Sequence, residues 1–345
     1  MTCMFKHGGN IFYWADKLNK DAKEIIDLSS NVFDGDIVIP DSDDLKFYTQ
    51  HLPTEDGFLL KKRLSSLCGI DEKFIFVDSG TSPIIKSICE MFAYKKALIF
   101  DPTYIEYARF CELYGLDIKH FVAEEENGFE FEIDKARLDG VDLCFICNPN
   151  NPTGGVIKKE EILKLAGSFK KTTFVVDEAY IDFYSNRETL LGSDMDNIVV
   201  LRSLSKFYSL AGIRVGWAYT KNKVILEKLN RIALPWRISS ISCIIALKNL
   251  DVNRKAIVDE VDKNRAYLME GLKRFGFIKV FSSNVNFLLI KLNSLDGKML
   301  ESFLIKKGIL IRVCDNFYSL SKDFIRISIK KRHKLDRLLE ALEEL

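Results

Sequence analysis

From about residue 70 to 220 the chain alternates short runs rich in β-branched and aromatic residues with longer runs of helical period, and this rhythm limits the fold more than any other feature. Strands are expected near 74–77, 97–100, 118–122, 142–147, 173–177, 198–202 and 215–220, with helices near 82–94, 103–114 and 159–169 between several of them. Runs as apolar as 143–147 and 173–176 offer no polar face to water, so they belong inside a mostly parallel sheet covered by helices on both sides. Beyond Pro235 the pattern changes to helices at about 238–250 and 254–275, strands near 277–281, 286–292, 308–314 and 324–329, and a closing helix from about 332. Strands grouped among helices indicate a smaller α+β domain, and the first 40 residues, too few to fold alone, are expected to pack against it. The chain thus divides into a large α/β domain over 41–240 and a small domain built from 1–40 and 241–345.

A length of 345 residues is enough for two such domains. The net charge of +1, from 50 basic and 49 acidic side chains, supplies no broad field toward nucleic acid or an anionic membrane, so neither is expected as a partner and any anion binding must be local. No apolar stretch approaches the roughly 20 residues a bilayer span needs, and the opening Met1-Thr2-Cys3-Met4-Phe5-Lys6-His7 lacks a signal-peptide core, so the protein is expected in the cytoplasm. Of the eight cysteines, Cys89, Cys144, Cys147 and Cys243 lie in apolar runs and read as reduced, small hydrophobes. Cys144 and Cys147 have C-x-x-C spacing but no second pair, so no metal site is expected.

Chemistry-bearing residues gather where the expected strands end, the edge at which open α/β sheets bind ligands. Asn148-Pro149-Asn150-Asn151-Pro152-Thr153-Gly154 follows one strand and sets Asn151 beside that edge; Asp177 ends another, three residues before Tyr180. Singly these have plainer readings, since Asn-Pro turns are common and a strand-end Asp often caps a helix. The turn Asp78-Ser79-Gly80-Thr81-Ser82-Pro83 precedes a helix, and a glycine turn opening a helix presents backbone N–H groups to an anion. Lys206 sits in Leu201-Arg202-Ser203-Leu204-Ser205-Lys206-Phe207-Tyr208, followed by Ala211-Gly212-Ile213-Arg214-Val215-Gly216-Trp217. A Schiff-base lysine must be held in place and able to lose its proton, and hydroxyls with a guanidinium suit a phosphate; Ser203, Ser205 and Arg214 fit that second task. Arg312 and Arg326 fall in β-rich runs, where a guanidinium needs an anion or solvent; two such forks suit a substrate with both a carboxylate and a phosphate. His7 can offer a hydrogen bond or positive charge to the same groups, with Gly8-Gly9 permitting close backbone approach.

The Lys206 segment resembles the cofactor lysine segment of the aspartate aminotransferase superfamily (fold type I), and the Asn151 and Asp177 motifs occur in that superfamily's order. The resemblance implies pyridoxal 5'-phosphate (PLP) as cofactor, held by Lys206, with Asp177 on the pyridine nitrogen, Tyr180 and Asn151 on the ring 3-oxygen, and Tyr104 stacked on the ring. It implies Gly80, Thr81, Ser203, Ser205 and Arg214 around the cofactor phosphate, a homodimer, and Arg326 and Arg312 as substrate-anion arginines. Within the superfamily, His7-Gly8-Gly9-Asn10, Leu28-Ser29-Ser30-Asn31 and the segment 309–316 resemble the threonine-phosphate decarboxylases of the cobalamin pathway. That branch implies a PLP-dependent carboxy-lyase acting on O-phospho-L-threonine or O-phospho-L-serine, with His7, Asn31, Asn151, Arg312 and Arg326 at the substrate. The cofactor motifs are shared with histidinol-phosphate aminotransferases, so transamination is the second reading. A PLP-binding regulator without turnover is a third, which a DNA-binding appendage or long linker would mark; the sequence has neither. Where relatives carry an inter-subunit tyrosine this chain has Leu52-Pro53-Thr54, leaving Tyr48 or His51 as substitutes.

Overall fold

The computed structural model describes residues 7–345, so the expectations for residues 1–6, the signal-peptide reading and Cys3 among them, lie outside the described residues. After a two-residue strand β1 (Ile26–Asp27), the chain lays down β2 (Ile75–Asp78), β3 (Lys96–Asp101), β4 (Asp117–Val122), β5 (Leu143–Cys147), β6 (Thr173–Asp177), β7 (Ile198–Ser203) and β8 (Gly216–Tyr219). These last seven form one sheet in the order β2-β8-β7-β6-β5-β3-β4. β8 is antiparallel to both neighbours and the other pairs are parallel, so β2, β3, β5, β6 and β7 all finish at the edge where β8 begins.

Alternation along the strands buries both faces. Val77, Leu98, Cys144, Ile146, Phe174, Val176, Val200 and Trp217 face helices Phe58–Cys68, Lys159–Ser168 and Ser240–Lys248. Phe76, Ile99, Phe145, Cys147, Val175, Val199 and Ala218 face helices Thr81–Met91, Glu106–Leu113 and Lys223–Ile232. Cys144 and Cys147 therefore sit on opposite sides of the sheet, and the described cysteines are free thiols. The helix Ser240–Lys248 joins the large-domain core through Ile245 and Ala246.

The second layer system holds β9 (Ile278–Val280), β10 (Phe287–Leu292), β11 (Ile309–Leu310), β12 (Arg312–Val313) and β13 (Phe324–Ser328). An antiparallel sheet in the order β12-β13-β10-β9 packs its apolar side against helices Arg254–Leu272 and Arg332–Leu342. The single strand expected over 308–314 is divided: β11 pairs in parallel with β1, whereas β12 pairs with β13. The N-terminal segment is the cause, since it occupies the edge beside Ile309–Leu310, while Leu28 and Phe33 enter the small core and Ile25 packs on Ile305 and Leu310. No helix among the described residues is long and apolar enough to cross a membrane.

Candidate active site

Strand pairing assembles the site. Gly216 opens β8 opposite both Asp78, at the end of β2, and Ser203, at the end of β7. A Cβ on Gly216 would lie 2.6 Å from the Thr81 amide nitrogen, so only glycine lets β8 run this close to the turn. Gly80 has φ +103 and caps helix Thr81–Met91 without a side-chain acceptor, leaving the helix's positive end for an anion. Arg214 lies against that turn: a Cβ on Gly80 would be 2.9 Å from its Nη2. Its Nη1 donates to Ser205 Oγ at 3.3 Å, and the Ser205 amide donates to Ser203 Oγ at 3.2 Å. A helix N-terminus, two hydroxyls and a guanidinium thus converge, a set suited to a phosphate.

Next to this cradle stands Lys206, half-buried, with its ammonium disfavoured by burial and by the Arg326 and Arg214 guanidiniums, which push its pKa down to about 8. Asp177 is buried at the mouth of β6; Tyr107 donates to its Oδ2 at 2.8 Å and the Ala179 amide to its Oδ1 at 3.0 Å. Burial raises the Asp177 pKa, and these donors together with Lys206 oppose that rise. Asn31 Nδ2 donates to the Tyr180 hydroxyl at 3.2 Å, while Asn31 Oδ1 is buried without a partner. Tyr104 lies over the same space, its hydroxyl 3.4 Å from Ser82 Oγ and its pKa raised by burial to about 12.

Arg312 and Arg326 are directly opposite each other on β12 and β13, which sends both side chains to one face. Both are buried, at 7% exposure each, and the hydrogen bonds they make among the described residues go to amide and carbonyl oxygens rather than to carboxylates. Arg326 donates from Nη2 to the Ser29 carbonyl at 2.8 Å and from Nη1 to Asn151 Oδ1, and its Nε is buried without a partner. Arg312 donates to Asn316 Oδ1 at 2.6 Å. His7 Nε2 is 2.9 Å from Glu106 Oε1.

Every sequence-derived site residue except Gly80 lines one cavity: His7, Asn31, Thr81, Tyr104, Asn151, Asp177, Tyr180, Ser203, Ser205, Lys206, Arg214, Arg312 and Arg326. Gly80 stands just behind Arg214. Tyr48 and His51 are not at this cavity; they line a separate apolar hollow with Phe47, Leu52 and Pro53. Sequence reasoning missed Tyr107, Ser29 and Phe317, which also line the cavity, and Glu106 behind His7.

The residues fit PLP by their own chemistry. An amine able to be neutral near pH 8, a buried carboxylate, an aromatic wall and an oxyanion cradle share one cavity, and two of the residues lining it, Asn31 and Arg326, keep a buried polar atom, Oδ1 and Nε, without a partner. A three-layer α/β domain with this set at the carboxyl edge of its sheet and a small antiparallel-sheet domain beside it is a PLP-dependent enzyme of fold type I. The chain belongs to the aminotransferase class I and II family, which it matches over residues 23–342 and whose members bind PLP.

Its relatives divide between two activities. It is 30% identical over 368 aligned positions to the adenosylcobalamin biosynthesis bifunctional protein CobDQ of Leptospira interrogans, which takes in 99% of this chain and 41% of that longer protein. It is 31% identical to the histidinol-phosphate aminotransferase of Methanocaldococcus jannaschii, covering 83% of this chain and 79% of the relative. The crystal structure of the histidinol-phosphate aminotransferase from Clostridium acetobutylicum superposes with a TM-score of 0.84 at 29% identity, over 93% of this chain and 98% of the other. That of L-threonine-O-3-phosphate decarboxylase from Porphyromonas gingivalis shares the fold, with a TM-score of 0.75 at 22% identity over 99% and 97%.

Proposed function

We propose that this chain is a PLP-dependent decarboxylase of an O-phospho-L-amino acid, O-phospho-L-threonine or O-phospho-L-serine, releasing carbon dioxide and an aminoalkyl phosphate for cobalamin-type cofactor synthesis. The observation that carries the reading is the pair of buried guanidiniums of Arg312 and Arg326 at one cavity, whose hydrogen bonds among the described residues go to no carboxylate. Two like charges opposite each other on neighbouring strands destabilise a sheet unless an anion joins them, and a substrate with both a carboxylate and a phosphate supplies that charge. The full-length match of this chain to part of a cobalamin-synthesis protein supports the pathway.

Lys206, Asp177, Tyr180, Asn151 and Tyr104 would hold the cofactor ring, and Gly80, Thr81, Ser203, Ser205 and Arg214 its phosphate. Bound there, PLP supplies an electron sink for the pair left on the substrate Cα when carbon dioxide departs. The chain's own part is orientation and proton movement. Arg326 would take the substrate carboxylate and Arg312, with His7, the phosphate; gripping both ends would fix rotation about Cα and so choose which of its bonds breaks. Asp177, kept dry and aligned by Tyr107, would supply a negative charge to the cofactor's pyridine nitrogen. Lys206, with a pKa near 8, is able to return a proton to Cα close to neutral pH.

Histidinol-phosphate transamination is the second reading, favoured by the 0.84 TM-score match. Incubation of the loaded enzyme with O-phospho-L-threonine, O-phospho-L-serine and histidinol phosphate, each with and without 2-oxoglutarate, separates them by product mass. The decarboxylase reading expects aminoalkyl phosphate without the oxo acid; turnover of histidinol phosphate that requires the oxo acid overturns it.

A further inference from the structure

Glu106 is a buried carboxylate that the mechanism above does not use. Its side chain is 5% exposed, and its two oxygens are divided between different parts of the chain. Oε2 accepts from Arg109 Nε at 2.7 Å, one turn along the same helix, whereas Oε1 meets His7 Nε2 at 2.9 Å, 99 positions away in sequence. Burial works to raise the Glu106 pKa, but the bonds from His7 and Arg109 outweigh it and hold the carboxyl below its usual range. Its place in the first turn of helix Glu106–Leu113 also favours the charged form. Since Arg109 serves Oε2 whatever His7 does, the carboxylate stays charged and preset for the arm.

The arm is seated at a second point. A Cβ on Gly8 would lie 2.3 Å from the Ser29 carbonyl oxygen, so the backbone rests directly on that residue. The Gly9 amide, at φ +92, donates to Ser29 Oγ at 2.8 Å. Ser29 is itself fixed by Asp27, whose Oδ1 accepts from the Ser29 hydroxyl at 2.6 Å, and its carbonyl holds Arg326. His7, half exposed, then forms part of the cavity wall beside Tyr104, with ring centroids 6.0 Å apart.

We propose that Glu106 is a positioning residue that latches the N-terminal arm through His7, setting the imidazole at the cavity mouth and enclosing the substrate's anionic end. The substrate clause rests on the function proposed above; the latch itself does not. Glu106, backed by Arg109, is the fixed jaw, the Ser29 shelf is the seat, and the glycine pair is the only backbone that fits between them.

Two measurements on the PLP-loaded enzyme test this. Amide hydrogen exchange at Gly9, without substrate, reads the arm directly. His7→Ala and Glu106→Ala each remove the same charge-assisted bond, so each should speed exchange by roughly ten- to a hundred-fold, and the double variant should exchange no faster than the singles. Steady-state kinetics should then show KM for the phosphorylated substrate raised about tenfold in either single variant, with kcat within about threefold. His7→Ala removes only a half-exposed ring, so it keeps the test open if Glu106→Ala folds poorly. Unchanged Gly9 exchange in His7→Ala, or additive effects in the double variant, overturns the latch even if phosphothreonine is decarboxylated. Should the enzyme prove a transaminase, the exchange result still stands or falls alone.

Discussion

Around Lys206, burial and the Arg326, Arg214 and Lys330 cations outweigh the nearby carboxylates, and this sets two expectations. Borohydride reduction of the yellow holoenzyme should leave a pyridoxyl group on the peptide containing Lys206; an adduct on another lysine would remove it from its role. The apo-protein should also carry a pH signature. Between about 8 and the ordinary 10.5 the unfolded chain holds a proton on this amine that the folded chain has lost, so stability rises with pH across that window. In Lys206→Met that part of the rise should vanish, and equal melting slopes for the two proteins over pH 8–10.5 would contradict the shift. Asn151 and Asp177 were legible because each comes at the end of an apolar strand, and Lys206 because its segment resembles the cofactor lysine segment of the superfamily. Tyr107 and Glu106 were not, because on helix Glu106–Leu113 they occupy ordinary amphipathic positions, and only the fold shows that Asp177 and His7 arrive beside them.

At the scale of elements, the pairing of β12 with β13 is where stability and function oppose each other. Arg312→Met keeps much of the buried stem while removing a charge opposite Arg326, so the apo-protein's melting temperature should not fall. The same change should cost about 2–5 kcal/mol of transition-state binding, on the order of 30- to several-thousand-fold in kcat/KM for a phosphorylated amino acid. A clear loss of apo stability with normal kcat/KM would mean that Arg312 is structural. The central strands were readable from the sequence because they are buried on both faces and show it as unbroken apolar runs, as β5 and β6 do. The division of 308–314 was not, since β11 takes its partner from Ile26–Asp27, about 280 positions earlier, and periodicity is silent about partners. Helix Phe58–Cys68 was also hidden: it buries only Leu60 and Leu64 and leaves Phe58, Leu59 and Leu67 exposed, which blurs its apolar stripe.

Over the whole molecule, the exposed Leu59 lines one hollow with Phe47 and Leu52, at 56% and 76% exposure, and with Tyr48 and His51. An apolar patch of this kind marks an interface, and we propose a homodimer through it, with Tyr48 or His51 delivered toward the partner's cavity. Sedimentation should give a dimer for the native chain and a monomer of reduced activity for Leu52→Asp, whereas a monomeric, fully active native chain would refute the assembly. Identity of substrate was the least legible property, because the cofactor-bearing edge of the sheet serves decarboxylation and transamination alike, and under the function proposed here the choice rests with how Arg312, Arg326 and His7 turn the substrate. The most direct measurement is therefore the fate of the carboxyl carbon. With O-phospho-L-threonine labelled with carbon-13 at C1 and no oxo acid present, the holoenzyme should release the label as carbon dioxide and bicarbonate, in step with formation of an aminoalkyl phosphate. Label retained in a 2-oxo acid, or turnover that begins only on adding 2-oxoglutarate, would contradict the account.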